Sequence, residues 1–207
     1  MEDHPLHMAA QRGDLAAVQT LVAQDPALME LRNGWRRHTP LLIAASNGHA
    51  EMVEWLLDQG ADREEQDNFR RDALHHACRH GHTAVVSVLL GRGFDVNRIA
   101  GGWAPLMPAA MEGHVAVVEL LLSRKAIEID RQDDIGWTAL YFAFRHNHPK
   151  VIGRLLQAGA DPRIAEEDGR RPVDVAREEG HDECIQLLVV SQSDRLLLDS
   201  SILYLTS

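Results

Sequence analysis

The chain has 207 residues, 45% of them hydrophobic and 5% aromatic, with a formal net charge of −10. That acidity argues against general nucleic-acid binding, which needs a basic footprint for the phosphate backbone. No apolar run of about 18 residues is present, so no membrane span is expected, and Met1 is not followed by the basic and apolar stretches of a secretory signal.

The first predicted unit, residues 1–32, is a pair of short helices. Pro5-Leu6-His7-Met8-Ala9-Ala10 begins one, Gly13 stops it, and Asp25-Pro26 breaks the second. It starts without room for a preceding hairpin, which suits an end unit with one face in water. The pattern is fullest in residues 33–65. Thr39 is a side-chain N-cap, and Pro40 takes the first helical position, where its missing N–H costs nothing. Leu41, Ala44 and Ala45 share one face. Gly48 stops the helix by entering the left-handed region without a Cβ clash. Val53, Leu56 and Leu57 stripe the second helix, which Gly60 closes. The lead-in Asn33-Gly34-Trp35-Arg36-Arg37-His38 is about two residues longer than its counterparts, so its tip should bulge.

Residues 66–98 repeat the plan with Asp72 as an equivalent cap. Residues 99–130 are the least regular. Ala104 lacks the cap hydroxyl, worth about 1 kcal/mol. Pro108 lies one turn inside the first helix, where it is expected to cost a hydrogen bond, and Lys125 stands where Gly60, Gly93 and Gly159 end the other second helices. The expectation is a weaker or bent unit, against plain sequence drift. Residues 131–164 enlarge the first helix with Tyr141, Phe142 and Phe144. In residues 165–190, Asp174 and Arg177 polarise the outer face, as a terminal cap requires. Ser191-Gln192-Ser193 breaks the pattern. Residues 191–207 form an apolar tail with Leu196, Leu197, Leu198, Ile202, Leu203 and Leu205, which either folds back on the last unit or is an exposed docking peptide.

Aligned on one position, the units give Leu6, Leu41, Leu74, Leu106, Leu140 and Val173; aligned on the helix stop, they give Gly13, Gly48, Gly81, Gly113, Asn147 and Gly180. Both series step by about 33 residues, a helix-pair repeat period. Asn147 fits the frame, because Asn tolerates the left-handed conformation best after glycine. The Thr-Pro-Leu core, Gly-His stop, Val-Val-x-x-Leu-Leu second helix and Gly-Ala-Asp ending resemble the ankyrin repeat, over roughly residues 1–190. The resemblance implies an all-α solenoid of stacked antiparallel helix pairs with projecting hairpin loops. It also implies a non-enzymatic module that binds a partner protein through a concave groove and its hairpin tips.

No constellation points to catalysis or a cofactor. His75, His76, Cys78, His80 and His82 crowd together, and such clusters can bind zinc. His75 and His82, however, fall on repeat positions shared with His7, His49, His114 and His181, where the family's histidines hydrogen-bond between turns. His76 and His80 remain, pointing in opposite directions, so no metal site is expected. Gly-x-Ser-x-Gly and phosphate-loop motifs are absent. Asp133-Asp134 reads as a solvated turn. Glu166-Glu167-Asp168, with Glu178, Glu179, Asp182 and Glu183, reads as a solvated cap. Cys78 and Cys184 lie about three repeats apart and are not expected to meet, which points to a reducing compartment, cytoplasmic or nuclear.

What remains is a surface. Three residues before the reference position stand His38, Arg71, Trp103, Trp137 and Arg170. Just before the helix stops stand Ser46-Asn47, Arg79-His80, Met111-Glu112, Arg145-His146 and Glu178-Glu179. By the resemblance, both sets face the groove. The candidate partner-binding residues are Phe69, Arg71, Arg79, His80, Trp103, Trp137, Arg145 and His146, since Trp and Arg dominate interface hot spots. The alternative for the tryptophans is packing on the next hairpin. The arginines are permanently charged, while the histidines charge only below about pH 6.5. A monomer that binds an acidic or aromatic segment is expected; a regulatory subunit or inhibitor masking an enzyme's surface is the alternative. Leu89 followed by Asp95-Val96-Asn97 resembles the site of the asparaginyl hydroxylase that acts on ankyrin repeats, which makes Asn97 a candidate for modification. The alternative is an Asn that bonds its own turn.

Overall fold

The structure is a computed structural model that describes residues 4–34 and 36–188. The expectations for the tail, residues 191–207, and for the tip residue Trp35 lie outside the described residues. Short helices follow one another in pairs: α1 (Pro5–Arg12) and α2 (Leu15–Gln24), α3 (Pro40–Asn47) and α4 (Ala50–Asp58), α5 (Ala73–Arg79) and α6 (Thr83–Gly91). Next come α7 (Leu106–Met111) and α8 (Val115–Leu122), α9 (Ala139–Arg145) and α10 (Pro149–Gln157), then α11 (Pro172–Glu178), followed by helical residues 182–188. A short turn joins each pair, and the two helices pack on one another as an antiparallel αα-hairpin. First helices stack on first helices from α1 through α11, and α4, α6, α8 and α10 stack as a second layer. The chain is an all-α solenoid; among the described residues the nearest thing to a strand is the bridge between Ala100 and Trp103.

One apolar core runs the length of the stack, from Leu6 to Leu188. Ala10, Ala45, Ala77, Ala110, Ala143 and Ala176 are fully buried where first helices meet. Their small side chains let the backbones approach, which explains a core with few aromatics. Helix starts follow the caps. The N–H of Leu42 donates to Thr39 Oγ1 at 3.5 Å, that of His75 to Asp72 Oδ1 at 3.0 Å and that of Tyr141 to Thr138 Oγ1 at 3.2 Å. The irregular fourth unit has no side-chain cap, and α7 is its six-residue result. Pro108 does not cost the expected hydrogen bond. Because α7 begins at Leu106, Pro108 falls in the first turn, and the N–H of Met107 takes the Ala104 carbonyl at 3.0 Å. Gly60, Gly93 and Gly159 all turn at positive φ, whereas Lys125 does not. There the chain leaves α8 through a different turn, with the N–H of Ile127 bonded to the Arg124 carbonyl at 3.1 Å.

A histidine clamp ties each helix stop to the next unit. The Nε2–H groups of His49, His82, His114 and His148 donate to the carbonyls of Gln11, Ser46, Arg79 and Met111 at 3.0, 2.9, 2.9 and 2.8 Å. Each ring lies where a Cβ on the preceding glycine would be: at Gly81 that atom would sit 2.6 Å from His114 Nδ1. The glycines therefore meet two demands, a left-handed φ and space for the ring. Asn147 meets only the first, with φ 58°. The next histidine has shifted accordingly: His181 bonds through Nδ1, and to Phe144 O at 2.9 Å, one residue out of register with the others. Cys184 Sγ donates to Asn147 Oδ1 at 3.2 Å in the altered junction.

Candidate protein-binding site

Hairpins between the helix pairs carry most of the candidate residues, and an acid organises each regular hairpin. Asp67 Oδ1 accepts from the N–H groups of Phe69 and Arg71 at 2.8 and 2.9 Å. Asp133 Oδ1 accepts in the same way from Ile135 and Trp137 at 3.1 and 2.8 Å. The residue two after the acid is thereby turned outward, and Phe69 is 52% and Ile135 47% exposed. The residue four after it, Arg71 or Trp137, returns along the inner side.

The fourth unit breaks this rule. Its hairpin closes between Ala100 and Trp103 by paired backbone bonds of 2.9 and 3.2 Å, one residue shorter than the pairings Asp67–Arg71 and Asp133–Trp137. Ala100 thus occupies the acid's place. A cleft of about 310 Å³ opens there, lined by Phe69, Arg71, His75, Arg79, Ala100, Gly101, Trp103 and Pro108. Gly101, at φ +60°, permits the close approach of the two hairpins, since a Cβ would fall 2.4 Å from the Phe69 carbonyl oxygen.

Four candidate residues, Phe69, Arg71, Arg79 and Trp103, share that cleft. Trp137 and Arg145 form a second group, with the guanidinium 5.1 Å above the indole. The two groups join through Phe142, whose ring lies 5.0 Å from Trp103 and 5.2 Å from Trp137. Exposed His80 and His146 follow the ends of α5 and α9, near His82 and His148. Partial burial, then the neighbouring imidazole and arginine, push both imidazoles below their ordinary pKa, so they charge at lower pH than an isolated histidine.

The charge of this face is more committed than expected. Arg71 sits on Asp67 Oδ2 at 2.7 Å and over the Phe69 ring at 4.7 Å. Arg79 lies 3.5 Å from Glu112, with both side chains more than a third exposed, so solvent screens that pair. The tryptophans are also structural. Trp137 stacks on Tyr141 at 4.9 Å, and its Nε1–H donates to Glu166. Burial, then the nearby Glu166 carboxylate, push the Tyr141 phenol up to about 12, and its hydroxyl donates to Glu166 at 3.0 Å. Burial alone would raise the Glu166 carboxyl, but bonds from Trp137, Tyr141 and Arg170 hold it below the usual range. The tryptophans therefore pack between hairpins, the alternative that the sequence left open for them. Glu166 departs from the solvated cap expected of its cluster: it is 8% exposed and fully engaged.

Asn97 uses both ends of its amide, Nδ2–H to Ala126 O at 2.6 Å and Oδ1 from the N–H of Glu128 at 2.9 Å. It ties its turn to the next one rather than to itself.

One cluster escaped the sequence. His38, Asp67 and His76 come from three separate stretches, yet one ligand-type atom from each lies within 4.8 Å of the others, and all three residues are buried. His76 Nε2 is 3.1 Å and His38 Nε2 3.7 Å from Asp67 Oδ2. Burial works against the Asp67 carboxylate, but the two imidazoles and Arg71 outweigh it and hold the group well below the ordinary range. Burial pushes the His76 imidazole down despite its bond to Asp67. In sequence, His76 stood out only as a histidine off the shared repeat positions, and nothing linked it or Asp67 to His38.

Stacked helix pairs, Gly–His clamps and acid-organised hairpins together define an ankyrin-repeat solenoid. The sequence model of the family "Ankyrin repeats (3 copies)" matches residues 6–100, 47–133 and 106–196, and the chain belongs to that family. Among curated proteins it is 30% identical over 192 residues to ankyrin repeat protein nuc-2 of Neurospora crassa, covering 92% of this chain but 18% of that one. It is 29% identical over 191 residues to the putative ankyrin repeat protein YahD of Escherichia coli, covering 89% of this chain and 94% of the relative. The chain thus spans under a fifth of the fungal relative and nearly all of the bacterial one. Among solved structures, an ankyrin repeat domain from Acinetobacter baumannii AYE superposes with TM-score 0.76 at 30% identity, covering 91% of this chain and 97% of that one. The human ASB11 ankyrin repeat domain superposes with TM-score 0.82 at 29% identity, covering 91% and 83%. No helix among the described residues is long and apolar enough to cross a membrane.

Proposed function

We propose that this protein is a non-enzymatic binding module whose recognition surface centres on the cleft between the third and fourth repeats. The partner it fits is a protein segment carrying a carboxylate beside an aromatic or other apolar side chain. The observation that carries this reading is the shortened hairpin. Without an acid at Ala100, the junction offers an apolar floor of Ala100, Trp103 and Pro108 beside Arg79, whose own carboxylate partner is solvent-exposed. Phe69, pushed outward by the Asp67 turn, supplies an aromatic wall. A preformed site of this kind loses little ordering entropy on binding. Free, buried Cys78 and Cys184 are consistent with work as a monomer in a reducing compartment, the cytoplasm or nucleus.

A panel of peptides placing Asp or Glu beside an aromatic residue tests the reading. Binders should be weakened about tenfold or more by Arg79→Glu and by Phe69→Ala, with steeper salt dependence in the wild type than in Arg79→Glu. Glu51→Lys on the outer helix α4 is the control and should change little. Glu54 and Glu119 are poorer controls, because they pair with Arg92 at 3.0 Å and Arg154 at 2.6 Å. Peptides that bind both cleft variants as well as the wild type would refute the site. An enzyme-masking role would show as changed activity of a partner captured this way.

A further inference from the structure

We propose that His38, Asp67 and His76 form a zinc-binding site bridging the second and third repeats. Two imidazole nitrogens and a carboxylate oxygen are a borderline donor set that suits Zn²⁺ over Mg²⁺ or Ca²⁺. With Zn–ligand bonds of about 2.1 Å, tetrahedral donors stand about 3.4 Å apart. The observed separations from Asp67 Oδ2 are 3.1 and 3.7 Å, and all three atoms fall within 4.8 Å, so small side-chain rotations complete the site.

Three observations independent of that spacing support the assignment. His38 Nε2 is buried without a hydrogen-bond partner, aimed at the same oxygen. Asp67 is held from behind, since its Oδ1 accepts two backbone N–H groups and so points Oδ2 at the imidazoles, the outer-shell orientation a metal ligand needs. His38 also lines a polar cleft of about 360 Å³ with Gln11, Asn33, Arg36 and Asn47, which offers a route in and room for a water as fourth ligand.

Two features set the strength of the site. Arg71 occupies Oδ2 at 2.7 Å and must withdraw, but its side chain is 25% exposed and already rests on the Phe69 ring, so it has a place to go. His76 Nδ1 is buried without a partner and would carry a proton once Nε2 is ligated, which holds affinity below that of closed structural sites. Because Arg71 lines the partner cleft, zinc uptake would also release a cation into it.

The test is titration of chelator-stripped full-length protein with Zn²⁺ by calorimetry and with Co²⁺ by visible absorption. The expected result is one saturable site per chain with the intense bands of four-coordinate Co²⁺. His38→Gln and Asp67→Asn should weaken binding by more than the roughly 10–100-fold that an outer-shell partner is worth; Asn keeps the Oδ1 acceptor, so the hairpin persists. His38→Cys should retain the metal and add a thiolate-to-cobalt charge-transfer band, a readout that loss of folding cannot imitate. A control replacing the exposed His80 and His146 with Gln should leave binding intact. Absence of a saturable site, binding that survives His38→Gln with full affinity, or binding abolished by the surface-histidine control would each overturn the proposal.

Discussion

Replacing Gly81 with Ala measures the two demands the helix stop makes, because the chain contains its own control. Gly81 has φ +75° and a Cβ there would lie 2.6, 2.8 and 2.9 Å from atoms of the His114 ring; Gly180 has φ +74° and, among the described residues, nothing within 4 Å. The backbone term is common to both and should cost about 1–2 kcal/mol. At Gly81 the ring must also move, which breaks the 2.9 Å bond from His114 Nε2–H to the Arg79 carbonyl, a further loss of about 0.5–1.5 kcal/mol. We therefore expect about 1.5–3.5 kcal/mol for Gly81→Ala and about 1–2 kcal/mol for Gly180→Ala, read from equilibrium urea unfolding at constant m-value. In a His114→Ala background the cost at Gly81 should fall to that at Gly180, since no ring remains to displace. Equal costs at the two glycines, or a Gly81 cost indifferent to His114, would refute the clamp.

Two further outcomes follow from the Glu166 junction. Trp137→Phe keeps the contacts to Tyr141 and Phe142 but removes the Nε1–H donor to Glu166, so unfolding should cost about 1–3 kcal/mol less; an unchanged urea midpoint would show that the bond contributes nothing. The folded-state pKa of Glu166 is depressed, so its contribution is complete above the ordinary glutamate value of about 4.5 and is lost as pH falls toward the folded value, where the unfolded chain binds the proton first. The melting-temperature difference between wild type and Glu166→Gln should hold constant from pH 7 to about 5 and shrink below about 4.5; a difference that widens on acidification would contradict the assigned environment.

How much of the site was legible depends on the range of the interaction. Arg71, Arg79 and Trp103 were found by counting from the repeat frame, Phe69 was named beside them, and the structure gathers the four in one cleft. The cleft's cause was missed: counting back from Leu106 places Ile99 at the acid's position, and only the backbone pairing of Ala100 with Trp103 reveals the missing residue. Whether the tryptophans pack or wait for a partner was open, and Phe142, packed between them, makes packing part of their role. His38, Asp67 and His76 were invisible as a group because no local spacing links a hairpin residue to the next repeat's helix.

The amino-acid sequence alone determined the period, the helix starts and stops, and hence the family. Capping by Thr39 or Asp72 and termination at Gly48 are settled within a few residues of chain, and Thr138 repeats the capping solution in the fifth copy. Only the tertiary structure decided what happens between copies. Asn147 was legible as a left-handed stop, but its displacement of His181 was not. The hairpin acid was legible as a turn residue, but Asp67 meeting two imidazoles and Glu166 meeting an indole and a phenol were not. Those contacts depend on the distance between stacked units, set by the buried alanines, and no single repeat contains it.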